Sequence, residues 1–247
     1  MNGPPTDDLD VLQARFEDAA EVLLADGDTP ASTPEPAGDS PRERVAALAR
    51  VLDILRRYPM DRTAGSMSGD DLTRVGDYGL HLLMDLAAQA GECGLPDTSR
   101  EFEDLSLPLA LYVARHGGRL RSLEPVVNAL AQLANALRDP RQLEQLFERC
   151  SRVVLAVAPD IRQDLERTNP QRPWRVLLIN RAIVATRSFL PGLMNQAFED
   201  LVQHLPEDAP RFFAEGMQQM DALNYPARVR EVVERYHREW QARRTLH

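Results

Sequence analysis

VVNALAQLANALRDP, residues 126–140, decides how the rest of the chain is read. It opens on Val126 and Val127, carries Ala131 and Ala134 on one helical face, and ends on Asp139-Pro140. The apolar residues recur with the period of an α-helix. Proline closes the segment because it cannot extend the hydrogen-bond ladder of a preceding helix. The residue before proline is pushed out of the α region, whereas proline itself suits the first turn of a new helix. The segment therefore predicts a helix, a sharp turn and the start of a second helix.

Three further segments align with it without gaps when anchored on the proline. They are LLMDLAAQAGECGLP (82–96), LLINRAIVATRSFLP (177–191) and FFAEGMQQMDALNYP (212–226). Ala87 with Ala90 and Ala182 with Ala185 repeat the alanine pair, and Met217 with Met220 replace it in the last copy. Beyond the prolines a large apolar residue recurs at Phe147, Phe198 and Val233, with Phe102 displaced by one position. VAALARVLDILRRYP (45–59) shares the length and the proline but not the inner pattern. A single hairpin cannot bury its apolar face, but stacked hairpins can. Strand signals are missing from residue 42 onward. The expected fold is all-α, built of stacked antiparallel helical hairpins over residues 42–247.

The unit resembles the tetratricopeptide repeat, with the best match in the last copy. Phe212 stands where that family has its large first-helix residue, Gly216 at the small crossing position, and Asn224-Tyr225 where the family turn ends in Asp-Tyr. Arg228 departs from the family's alanine, and Arg181, Leu130 and Leu86 replace the small crossing residue in the other copies. The resemblance covers residues 75–242. It implies a right-handed α-α superhelix whose first helices line a groove for a peptide or partner helix. Position by position, the groove would present Ala87, Ala90, Ala131, Ala134, Asn135, Ala182, Ala185, Thr186, Met217, Met220 and Asp221. Small residues on one helix face are also a packing device, so groove and packing both stay open for the alanines.

Residues 1–41 read as a separate acidic arm. Leu9, Leu12, Phe16, Ala19, Ala20 and Leu23 recur at helical spacing, predicting an amphipathic helix over about 8–24. A Pro/Ser/Thr/Glu-rich stretch follows and has the composition of a flexible linker. The arm holds ten acidic residues and one arginine, a difference equal to the chain's formal charge of −9. The helix has two readings, a cap on the body or a motif offered to a partner. In a combined form it docks on the body and yields to that partner.

Every basic residue among the 29 counted as Lys or Arg is arginine. Schiff-base chemistry and the P-loop both need a lysine and are excluded. The charge-balanced body lacks the basic excess of a nucleic-acid binder. Cys93 and Cys150 stand far apart, outside any metal spacing, and read as buried, reduced thiols of a cytoplasmic protein. No apolar run approaches a membrane span, and the acidic start lacks the pattern of a secretory signal.

Glu234 and His237 form one E-x-x-H, half of what a carboxylate di-metal bundle requires. Asp77, His81 and Asp85 share a helix face that reads as a solvated charged stripe. Two arginine-rich loops, 114–121 and 167–175, have the chemistry of anion sites; Arg167, Arg172, Trp174 and Arg175 are the candidates in the second. No catalytic residue, metal site or cofactor is assigned. The expected function is a non-enzymatic scaffold or adaptor that binds a protein or peptide partner in a groove of helical repeats. The alternatives are an all-α small-molecule or anion binder or enzyme using the Arg/Trp loop, and a nucleic-acid-linked regulator. Exposed repeat ends would be capped by the N-terminal helix or by a second subunit.

Overall fold

The computed structural model describes residues 8–26, 40–58, 67–165 and 168–244. Among these, twelve helices follow one another, and the only β-type pairing is one bridge between Leu120 and Val157. The described residues divide into two compact units, residues 1–129 with 155–163 and residues 130–154 with 164–247.

Proline does in space what its place in the sequence dictates. Helices α1 (Leu9–Asp26) and α2 (Pro41–Arg57) precede the long α3 (Gly69–Glu92). The aligned prolines then open four helices: α4 (Pro96–Asp104), α7 (Pro140–Ala156), α10 (Pro191–His204) and, one residue on, α12 (Ala227–Arg244). Their partners are α3, α6 (Glu124–Ala136), α9 (Pro173–Arg187) and α11 (Ala209–Ala222). Two short helices, α5 (Ser106–Arg115) and α8 (Pro159–Arg162), complete the set. The recurring residue beyond each proline lies in the core: Phe102, Phe147, Phe198 and Val233 are all buried.

Three of the four hairpins turn through a left-handed residue two positions before the proline. These are Gly94 (φ 76), Phe189 (φ 61) and Asn224 (φ 49). After α3 the Leu95 N–H reaches back to the Ala90 carbonyl at 2.9 Å, which satisfies an end carbonyl of the helix. Glycine adopts this conformation without cost; Phe189 does not. Its ring is held edge-on against Tyr225 of the next turn, 5.6 Å between centroids.

In the first unit α3 packs against α2, α4 and α5. Helix α5 is buried from Ser106 to Val113. Two glycines of α3 admit it: a Cβ at Gly76 would stand 2.6 Å from Val113 Cγ2, and one at Gly79 would stand 3.0 Å from Leu109 Cδ2. Ser68 and Asp71 form a reciprocal capping box at the start of α3, and Ser40 with Glu43 does the same for α2.

In the second unit α9 pairs with α10, α11 with α12, and α10 lies against α12. Phe198, Phe213 and Tyr236 fill the centre, with ring centroids 5.1–5.3 Å apart. No helix of the described residues is long and apolar enough to cross a membrane.

Candidate functional site

The first helices of the hairpins carry the groove residues named from the repeat. Ala87, Ala90, Ala134, Ala182, Ala185 and Met220 are buried, so these side chains serve packing between helices. Ala131, Thr186 and Met217 are half-buried, and Asn135 and Asp221 are exposed. The Thr186 hydroxyl donates to the Ala182 carbonyl at 2.9 Å, leaving its methyl as the outward chemistry. Beside it, Arg187 donates to the carbonyls of Ala134 and Leu137, which clamps the end of α9 to the end of α6. A basic residue suits those carbonyls, where the helix dipole is negative. Asp221 pairs with Arg230 at 2.7 Å.

Arg181 occupies the crossing position where a small residue was expected by resemblance. It is 2% exposed, and its charge is met on three sides. Nε donates to Ser151 Oγ at 2.9 Å, Nη1 donates to Asp200 Oδ2 at 2.6 Å, and the guanidinium lies 4.5 Å from the Phe147 ring centroid. Neighbouring Cys150 is fully buried, and that burial pushes its thiol up to about 12; Cys93, expected to be buried as well, is instead exposed because it caps the end of α3. A neutral thiol is a poor nucleophile.

The Arg/Trp loop forms a closed network. Arg172 donates through Nε to Asp164 Oδ1 at 2.5 Å and through Nη1 to the Asn169 carbonyl at 3.0 Å. Arg175 donates to Asp208 Oδ1 at 2.8 Å and to the Pro170 carbonyl at 2.8 Å. The hydrogen bond to Asp164 holds Arg172 above the ordinary arginine range. Two arginines thus face two aspartates, and an incoming anion would have to displace one of them. Trp174 is buried edge-on against His204, 5.4 Å between centroids, and its indole N–H has no hydrogen-bond partner. Arg167 lies outside the described residues.

The charged stripes are likewise committed locally. Asp77 Oδ1 accepts the N–H groups of Arg121 and Ser122 at 3.2 and 3.1 Å, and His81 Nδ1 lies 2.7 Å from the Asp77 carbonyl oxygen. His237 Nε2 meets Gln241 Nε2 at 2.8 Å. Among the described residues no group of three or more His, Cys, Asp or Glu could hold a metal ion.

A further surface, to which the repeat did not point, carries helix α1. Helix α1 lies on α2, α4 and α5. Leu9, Leu12, Phe16, Ala19, Ala20 and Leu23 are each 7% exposed or less. Burying each of the four larger side chains is worth about 1.5–3 kcal/mol. The Phe16 ring stands 6.4 Å from that of Phe102 in α4. Arg15 pairs with Glu101 and Arg56 with Asp10, both at 2.6 Å. The stripe of α1 is readable in the sequence, whereas the groove is assembled from three helices and is not.

Comparison with known proteins finds no matching family, no matching curated protein and no matching solved structure.

Proposed function

We propose that the chain is a non-enzymatic interaction protein whose partner, a peptide or helix, lies across the first helices of its second unit. The observation that supports this most directly is the side-by-side arrangement of hairpins there. α10 lies against α12, and Arg187 clamps α9 to the last turn of α6. Thr186 and Asn135 flank that clamp in sequence, Asp221 stands at the matching position on α11, and Met217 stands where Ala131 and Ala182 stand in the other copies. With the buried alanines and Met220 spent on packing, these four residues and half-buried Ala131 remain for contact, Asp221 while paired to Arg230. They offer a surface of small and apolar groups with one amide and one carboxylate. Cys93 and Cys150 are unpaired, which fits a reducing, cytoplasmic setting.

A photo-crosslinking residue placed at Thr186 or Met217 in the native organism tests this reading. One discrete adduct shared by both positions, and missing when the probe is placed at exposed Leu155, is the expected result. No adduct at either position, or the same pattern at Leu155, would overturn it.

A further inference from the structure

Helix α1 is held in its groove as a ligand is held. All its burial runs along one stripe, and its two named polar links, Arg15–Glu101 and Asp10–Arg56, lie at the rim. Residues 27–39, with Pro30, Pro34 and Pro36 among them, separate it from α2 in sequence.

Three features weaken that hold. The last turn of α1 has no basic residue to complement the negative end of the helix dipole. Like most helices in proteins, the eighteen-residue α1 draws its stability mainly from packing its apolar face, and loses that support when undocked. On the docked side Gln13 Oε1 is buried without a hydrogen-bond partner, although its Nε2 donates to Glu17 at 2.7 Å. An orphaned buried acceptor costs desolvation that docking does not return.

We propose that the groove of α2, α4 and α5 is an exchangeable helix site, with α1 as its resident occupant and a partner's amphipathic helix as its competitor. The inference rests on the reading of the chain as an interaction protein, but it concerns a different surface in the other unit. The chemistry of the competitor follows from the contacts of α1. It carries large apolar residues at the spacing of Leu9, Leu12, Phe16 and Leu23, and small residues where Ala19 and Ala20 lie. An acid faces Arg56 and a base faces Glu101. An apolar residue in place of Gln13 gives it an advantage that α1 lacks. That advantage is needed, because a short tether holds its ligand at an effective concentration on the order of millimolar.

The test uses the full chain and a labelled synthetic peptide of residues 8–26 carrying Gln13→Leu. In the full chain, Phe16→Glu with Leu23→Glu vacates the groove. The vacated chain should bind the peptide one to one and at least about tenfold more tightly than the unmodified chain does. Gln13→Leu in the peptide should itself be worth about tenfold over the native peptide. Equal binding to both chains, or binding to neither, would overturn the proposal. A two-chain species that forms in the unmodified protein and vanishes in the variant would assign the groove to α1 of a second copy and also overturn it. If the variant does not fold, hydrogen exchange on the unmodified chain decides. Amides of α1 should exchange together, about a hundredfold faster than those of α5; equal protection of the two helices would overturn the proposal. Adducts at Thr186 and Met217 report on the other surface, so either reading can fail alone.

Discussion

The Arg181 guanidinium lies over the Phe147 ring, 4.5 Å from its centroid, at a position where the resemblance to the tetratricopeptide repeat implied a small residue. With Ser151 and Asp200 it makes a polar lock inside the second unit. Its planar fork satisfies two acceptors and stacks on a ring at once, which lysine cannot reproduce. Arg181→Ala leaves a cavity and unpaired groups, and should cost about 3 kcal/mol in chemical denaturation. Arg181→Met fills the space without a charge and should cost clearly less. Equal losses would show that the hydrogen bonds, and not the volume, carry the position.

The two cysteines should separate cleanly in alkylation. Cys93 is exposed at the end of α3, and Cys150 is buried with its thiol pushed up to about 12. Iodoacetamide at pH 8 should modify one thiol in the native protein, Cys93, and both after unfolding. Rapid native labelling of Cys150 would contradict the packing around Arg181.

The start of α3 should be sensitive to acid. Hydrogen bonds from the Ser68 backbone and hydroxyl lower Asp71 from 3.8 to about 2. Because its value in the folded state is depressed, its contribution is fully present above 3.8 and is lost as pH falls towards about 2. Thermal melts between pH 5 and 2 should show a drop that Asp71→Asn reduces. Ser68→Ala should cost about 1 kcal/mol at neutral pH through loss of the cap.

The left-handed turns give opposite outcomes at two similar places. Asn224→Gly removes backbone strain at an exposed position and should stabilise the chain by about 0.5–1 kcal/mol in denaturant titration. Phe189→Gly removes the same strain but also the edge-on contact with Tyr225, worth about 0.5–1.5 kcal/mol beyond its buried area. It should be destabilising overall.

The hairpin prolines were readable because proline's constraint is local: Pro96, Pro140 and Pro191 each begin a helix. The apolar stripe of α1 was readable for the same reason, since a helix repeats its face within a few residues. Phe189 gave no signal, because nothing in a phenylalanine announces a left-handed turn; only its contact with Tyr225 accounts for it. The Arg/Trp loop looked like an anion site because Asp208, which meets Arg175, lies 33 residues away in sequence. Arg181 was opaque in the same way, with Ser151 thirty residues before it. Patterns within one helix could be read; pairings between helices depend on how distant segments meet.

The central claim, that the first-helix face of the second unit receives a partner, is tested most directly by affinity. The segment crosslinked at Thr186 or Met217 would be titrated calorimetrically into the unmodified chain and into Thr186→Glu and Met217→Glu chains that retain cooperative unfolding. The account predicts that each charge weakens binding by at least about tenfold, while Leu155→Glu leaves it unchanged. Equal affinity for all four chains would contradict it.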